Sequence, residues 1–341
     1  MKAWMLFLAI LLMAVPSFAQ TMPDPELHGA DVWFGTFSIV ACDPATGDLG
    51  VAVASRPVGA GAAVNWAEAG IGAIATQAGA NRTYGPKAIA LIKQGMAPAD
   101  IVKKITDEDP GREGRQVAVI DNKCRTGVFT SQTILNRNGA TYAGSIQGTN
   151  YSVQGNTLAS EEVVKAMAAA FEAGKDKPLD ERLMDALDAG NAKGGDARGM
   201  GSAGILVVRP VAPDNITSIG RRVDLRVDHH LENPFRELRR ILNMSSLAPH
   251  YATASRQLAE QGKYAEALAA QKKAVELNPS AQNHYGYAQR CAQLGEHLNA
   301  LIALREAVRL QPNLKEDALK NAVFDKMKNM PEFKSTIGSS N

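Results

Sequence analysis

Two β-patterned stretches, Thr36–Cys42 (TFSIVAC) and Leu49–Ser55 (LGVAVAS), flank the turn-rich segment Asp43-Pro44-Ala45-Thr46-Gly47-Asp48. Apolar, β-branched runs on either side of Pro, Gly and Asp spell a hairpin. The pattern recurs. Ile71–Gln77 (IGAIATQ) reads as a third strand, and Gln116–Ile120 with Thr126–Thr130 as another hairpin. Ser202–Val208 (SAGILVV) reads as a buried strand and Arg222–Val227 as a weaker alternating one. Helical patterns fall between these groups. One starts at Pro86 and stops at Gly95, and a second covers Pro98–Ile105. A third is capped by Ser160, carries Val163, Val164, Met167 and Phe171 on one face and ends at Gly174; Pro178–Leu187 is a fourth. Strands grouped in hairpins point to antiparallel sheets with segregated helices rather than to alternating β–α units. The fold class is α+β, and a four-layer αββα sandwich fits the element order.

The two ends of the chain read differently. Lys2, the apolar run Met5–Val15 and the small residues around Ser17-Phe18-Ala19 have the form of an export signal over residues 1–19. The run is short for a bilayer span, no cysteine sits near the cut, and no later segment is apolar enough to cross a membrane. The mature chain is then expected to begin near Gln20, in a secreted or periplasmic setting. Residues 20–33, with Pro23, Pro25 and Gly29 and no periodicity, read as a linker or pro-segment, and residues 34–240 as the sandwich domain. Beyond Pro234 the pattern turns helical. Gly262-Lys263-Tyr264, Ala267 and Asn278-Pro279 are echoed by Gly295-Glu296-His297, Ala300 and Gln311-Pro312, at an offset of 33 residues. That is close to the tetratricopeptide period of about 34 residues, and assigns residues 248–330 to a small all-α module. Two repeats are few for independent stability, so the module should pack on the first domain or on a partner.

A formal charge of +2 is near balance, so nucleic acid is not an expected partner. Cys42, Cys124 and Cys291 lie far apart, in neither a disulfide-scaffold nor a zinc pattern. The spacing leaves a Cys42–Cys124 bridge open in an oxidising compartment, but buried free thiols are the expectation. His229-His230 lacks a carboxylate at ligand spacing and reads as structural, as does Tyr84-Gly85-Pro86 at a loop-to-helix junction. No cofactor and no metal are expected.

Gly35-Thr36 opens the first strand. A threonine hydroxyl needs an adjacent base, and the residue's own α-amine can serve if Thr36 becomes the first residue. An α-amino pKa of about 7.7–8.0 leaves much of it neutral near pH 7–8. Removal of a signal at Ala19 does not expose it, so a second cut, at Gly35–Thr36, is required. An ordinary β-branched residue at a strand start is the competing reading.

The segments TFSIVACDPATGDLGVAVASR, GIGAIATQAGANRTYGPKAIALI, YSVQGNTLAS, GGDARGMGSAGILVV and RVDLRVDHH occur in this order. Together they resemble a bacterial domain-of-unknown-function family, number 1028, placed among the N-terminal-nucleophile (Ntn) hydrolase-like folds. The resemblance spans roughly residues 34–240. It implies an αββα sandwich and amide hydrolysis, without naming a substrate. It makes Thr36 the candidate nucleophile, with Ser38, on the same face of the strand, as runner-up. Ser55-Arg56 resembles the Asp-Ser-Arg stretch of proteasomal β-subunits, but Ala54 stands where the aspartate would be. No lysine occupies the expected region, Lys87 being well beyond it. This argues against proteasome-like proteolysis and leaves an acylase-type mechanism with the α-amine as sole base.

Candidate oxyanion donors are Asn156, Gln77, Asn81 and Arg56, although Asn81 and Asn156 also suit turn capping. Asp196 and Arg198 can pair near the site or order their loop, and Gly194-Gly195 fits a tight turn. The expected activity is an extracytoplasmic Ntn-type amidohydrolase acting on a small amide or peptide-like substrate. The alternative is a non-catalytic binding protein of the same fold that engages a partner protein through the helical repeats. The oligomeric state is not legible.

Overall fold

Strand β1 (Thr36–Asp43) pairs antiparallel with β2 (Asp48–Ser55), Thr36 facing Ser55 and Asp43 facing Asp48. This is the hairpin expected from the opening pattern. In the computed structural model, which describes residues 35–135, 142–211 and 219–338, it forms the centre of a six-stranded sheet. Helix α1 (Ala60–Val64) leads to β3 (Asn65–Glu68) and β4 (Gly72–Ala78). Helices α2 (Tyr84–Lys93) and α3 (Pro98–Asp107) precede the hairpin β5 (Arg115–Asp121) and β6 (Thr126–Thr130). A short α4 (Gln132–Leu135) follows, then β7 (Tyr142–Gly148) and β8 (Tyr151–Leu158). Helices α5 (Glu162–Ala173) and α6 (Leu179–Ala192) separate β8 from β9 (Ser202–Val208) and β10 (Arg221–Val227). The strand orders are β10-β9-β2-β1-β8-β7 and β3-β4-β5-β6, and every pairing is antiparallel.

The alternation along β1 sets the packing. Phe37, Ile39 and Ala41 point outward into a core shared with Val164, Met167 and Phe171 of α5 and Leu183 and Leu187 of α6. Val40 and Cys42 point the other way, toward Ala73, Ala75, Ala118 and Ile120 of the four-stranded sheet. That sheet turns Ile74, Val117 and Val119 outward, against Tyr84, Ala88 and Ile92 of α2 and Ile101 and Ile105 of α3. The two sheets therefore face one another, each backed by a pair of helices.

Three sequence expectations change. Cys42 and Cys124 are not free thiols: they form a disulfide, with Cα atoms 5.4 Å apart. Sheet-on-sheet packing brings inward-facing Cys42 to the β5–β6 turn, a proximity invisible across 82 residues of sequence. Cys291 is free, and burial pushes its thiol up to about 11. Ser160 does not cap α5 through its side chain; the cap position is Glu161. Strands β7 and β8 were not anticipated, and β8 pairs directly with β1, Thr36 opposite Asn156.

The C-terminal region is helical. Asn233 caps α7 (Pro234–Leu242), its side chain accepting from the backbone N–H of Phe235 and Arg236. A π-helical turn carries the chain into α8 (Ala248–Glu260). Then come α9 (Tyr264–Leu277), α10 (Ala281–Gln293), α11 (His297–Leu310), α12 (Leu314–Lys320) and α13 (Pro331–Ile337). Helix pairs α8/α9 and α10/α11 repeat one conformation. Gly262 and Gly295 take φ 75° and 77°, a left-handed turn that favours glycine. Asn278 and Gln311 leave their helices at φ −151° and −144°.

The first of these pairs is tied to the sandwich. Buried Asp180 of α6 accepts from Ser246 Oγ at 2.6 Å and from Arg222 Nη2 at 2.5 Å, and Tyr251 Oη donates to Glu181 at 2.8 Å. Among the described residues, no helix is long and apolar enough to cross a membrane. The export-signal and pro-segment readings fall on residues outside the described ones.

The disulfide closes a loop spanning 82 residues, and a loop of that length implies about 4.5 kcal/mol of stabilisation by chain entropy. Cys42→Ala with Cys124→Ala is expected to lower unfolding free energy by about 2–5 kcal/mol in urea titrations. An unchanged midpoint would show that the two sheets hold without the bridge.

Candidate active site

Thr36 is the first residue of β1, with β2 on one side and β8 on the other. Its side chain faces the inter-sheet space and is 2% exposed. The Thr36 and Ser55 hydroxyls lie 2.9 Å apart. Ser55 Oγ donates to the Gly35 carbonyl oxygen at 2.6 Å. A serine hydroxyl has one proton, so Thr36 is the donor in the Thr36–Ser55 contact. Arg198 Nη2 reaches the same Gly35 oxygen at 3.2 Å. The carbonyl on the N-terminal side of Thr36 thus has two donors, one of them a fixed cation.

Asp196 aims that cation. Its carboxylate takes Arg198 Nε at 3.0 Å and Nη2 at 2.8 Å, a bidentate pair, and also the backbone N–H of Arg198 and Arg56. It lies so close to Gly35 that a Cβ there would sit 2.5 Å from Asp196 Oδ1. Glycine before Thr36 is therefore a spatial requirement. Arg56 closes the loop by donating from Nη1 to the Arg198 carbonyl at 2.8 Å.

The remaining expected residues divide. Gln77 lines the same cavity as Thr36, but its amide is engaged: Nε2 donates to Gln116 Oε1 at 2.7 Å and to the Thr36 carbonyl at 3.4 Å. Ser38 is fully buried, donating to Gln77 Oε1 at 2.5 Å and accepting from Gln154 Nε2 at 2.6 Å. It is held in the interior and does not line the cavity. Asn156 Nδ2 donates to Gln116 Oε1 at 3.0 Å. Asn81 is a loop residue: Nδ2 donates to Asp109 at 2.9 Å, and Oδ1 accepts from the Thr83 N–H. It makes no hydrogen bond to Thr36 or Ser55.

Gln116 is the hub that sequence reading missed. Its oxygen receives both Gln77 and Asn156, and its amide donates to Thr130 Oγ1 and to the Gly155 carbonyl, each at 2.9 Å. Gln116 and Gln154 are wholly buried. The signal for both was a glutamine set inside an otherwise strand-like run.

The cavity in front of Thr36 has a volume of about 340 Å³. Thr36, Ser55 and Gln77 form its polar part, Val58 and Ala63 are among its apolar walls, and Arg82 also lines it. No group of three or more His, Cys, Asp or Glu among the described residues could hold a metal. His230 instead accepts from the backbone N–H of Glu232 and Asn233 at Nδ1, a turn-forming role.

The family model "family of unknown function (DUF1028)" matches residues 36–238, beginning at Thr36 itself. The chain belongs to that family. A crystal structure of a Silicibacter pomeroyi protein assigned to the same family superposes with a TM-score of 0.55 at 31% identity. The match covers 62% of this chain and 86% of the other. No curated protein matches.

Replacing the hub tests the polar network. Gln116→Leu leaves the buried Gln77 and Asn156 amides each short of an acceptor, at about 1–3 kcal/mol per unsatisfied group. A stability loss of at least about 2 kcal/mol is expected in denaturant unfolding. A neutral result would show that the amides re-pair and that the network does not fix β1 against β4.

Proposed function

We propose that this protein is an Ntn-type amidohydrolase whose nucleophile is Thr36, released by self-cleavage of the Gly35–Thr36 bond. The observation that carries the reading is the Gly35 carbonyl, hydrogen-bonded by Ser55 and Arg198 while the Thr36 hydroxyl donates to Ser55. The contacts define a proton route. Thr36 Oγ1 attacks the Gly35 carbonyl carbon, its proton passes to Ser55 Oγ, and the Ser55 proton passes to the carbonyl oxygen, whose developing charge Arg198 offsets. Collapse re-forms the C=O, returns that proton through Ser55 to the Thr36 nitrogen, breaks the Gly35–Thr36 C–N bond and leaves an ester on Thr36 Oγ1 with the α-amine free. Water then cleaves the ester, releasing the Gly35 carboxylate and restoring the Thr36 hydroxyl.

The same groups serve turnover. The α-amine accepts the Thr36 hydroxyl proton as the oxygen attacks a substrate amide, and later delivers it to the leaving amine. Departure of Gly35 frees the Ser55 hydroxyl and the Arg198 guanidinium to receive the substrate oxyanion. These two take the role expected of the side-chain amides, of which Gln77 has both protons, and Asn81 and Asn156 one each, on internal acceptors.

The paired sheets and their flanking helices support reading residues 34–240 as an αββα Ntn-type sandwich. The recurring geometry of α8/α9 and α10/α11 supports tetratricopeptide-like repeats over 248–330. The signal-like N-terminus, together with the Cys42–Cys124 disulfide, supports an oxidising, extracytoplasmic setting. The substrate class is a small amide or peptide-like molecule, by the volume of the cavity.

Amine release from a panel of small amides tests this. Ser55→Ala is expected to lower kcat by about 10²–10³-fold, the usual effect of one oxyanion donor. Thr36→Ala is expected to abolish turnover. Hydrolysis by Thr36→Ala at the parent rate would remove Thr36 from the chemistry.

A further inference from the structure

The cavity beside Thr36 carries an uneven charge. Among the described residues that line it there is no carboxylate, and the one cationic side chain is Arg82. Arg82 is exposed and has no hydrogen bond or ion pair to any described residue. Its neighbouring cations are different: Arg56 is spent on the Arg198 carbonyl, Arg198 on Asp196 and Arg115 on Asp109.

The backbone that carries Arg82 is nonetheless pinned on both sides. Ala78 turns the chain with φ 65°, a left-handed conformation uncommon for alanine, as β4 ends. Gly79 N–H donates to the Gly114 carbonyl at 2.8 Å, and Arg115 donates to the Gly79 carbonyl. Beyond Arg82, Tyr84 Oη donates to Asp109 at 2.8 Å, next to the Asn81 contact at 2.9 Å. Burial alone would raise the Asp109 carboxyl. Hydrogen bonds from Arg115, Asn81, Tyr84 and Gly111 outweigh it and hold the pKa well below the usual carboxylate range. The anchor is therefore held toward its ionised form. None of these bonds uses the Arg82 side chain. A left-handed turn and four hydrogen bonds fix the backbone that carries a guanidinium without a partner among the described residues.

We propose that Arg82 is the anion-recognition residue of the cavity and that its ligand is a small amide bearing a carboxylate. Placing the cavity's ligand on Thr36 rests on the amidohydrolase reading above. The recognition by Arg82 does not. A guanidinium presents donors in a fork that matches a carboxylate. Val58, Ala60, Ala63, Val64 and Ala78 offer the stem of such a ligand an apolar wall. The volume, about 340 Å³, lies near the lower end of the ~300–1,000 Å³ typical of small-molecule sites, so the class is amides of amino-acid size rather than long peptides.

The test uses two matched pairs of probes, with binding measured by calorimetry separately from hydrolysis. N-acetyl-L-alanine against N-acetyl-L-alaninamide places the carboxylate on the amine side of the amide. Succinamic acid against succinamide places it on the acyl side. In at least one pair the acid is expected to bind about 10- to 100-fold more tightly than its neutral partner, the value of one charge-assisted contact. Arg82→Gln is expected to erase the preference without moving the melting temperature, and Arg82→Lys to retain part of it. The preference should persist in Thr36→Ala. Equal binding within both pairs, no binding in either, or a preference that survives Arg82→Gln overturns the proposal. A preference that depends on Arg82 in a protein that hydrolyses neither acid upholds the anion site and overturns only the amidohydrolase reading.

Discussion

Strand β1 is hydrogen-bonded on both sides along most of its length, to β2 and to β8, and its two faces look into different cores. Everything near Thr36 follows from that placement. A residue at the end of such a strand has its backbone fixed by two neighbours, so Ser55 and Asn156 flank it by register and need no side-chain affinity to arrive there. The helix-facing side of β1 is conventional apolar packing. The inter-sheet side changes character along the strand: apolar at Val40 and Cys42, polar at Thr36 and Ser38. The polar end requires partners, because unpaired buried amides and hydroxyls are costly. Gln77, Gln116, Gln154 and Asn156 supply them from three further strands.

Much of this was legible in sequence wherever a local rule carries the information. The β1–β2 hairpin, β4, the β5–β6 hairpin and β9 announce themselves by apolar runs between turn residues. The repeat of α8/α9 in α10/α11 is visible as glycine, alanine and proline at one offset. β8 was not legible as a strand because Gln154-Gly155-Asn156 reads as a turn. It is a central strand whose inward face is polar, so the expected apolar signature is missing. Helix α7 carried a usable signal, Asn233 before Pro234, at what instead looked only like a change of composition.

The site was half visible. Thr36, Ser55 and Asp196 come together around Gly35. The partners that matter most to the Gly35 carbonyl are set by tertiary approach. Arg198 lies 163 residues from Gly35 in sequence, and Ser55 reaches it by strand register. The disulfide is a case of the same kind. Two cysteines 82 residues apart meet because one faces inward from β1 and the other sits on a turn of the opposing sheet. Of the amides singled out as oxyanion donors, Gln77 has both protons on internal acceptors, and Asn81 and Asn156 have one each.

In the proposed reaction Thr36 becomes a chain start. Intact mass and N-terminal sequencing of the purified protein measure it directly. The purified chain is expected to begin at Thr36 and to lack residues 1–35, and Thr36→Ala is expected to keep Gly35 attached. A parent protein that remains whole through Gly35 after prolonged incubation at neutral pH would contradict it.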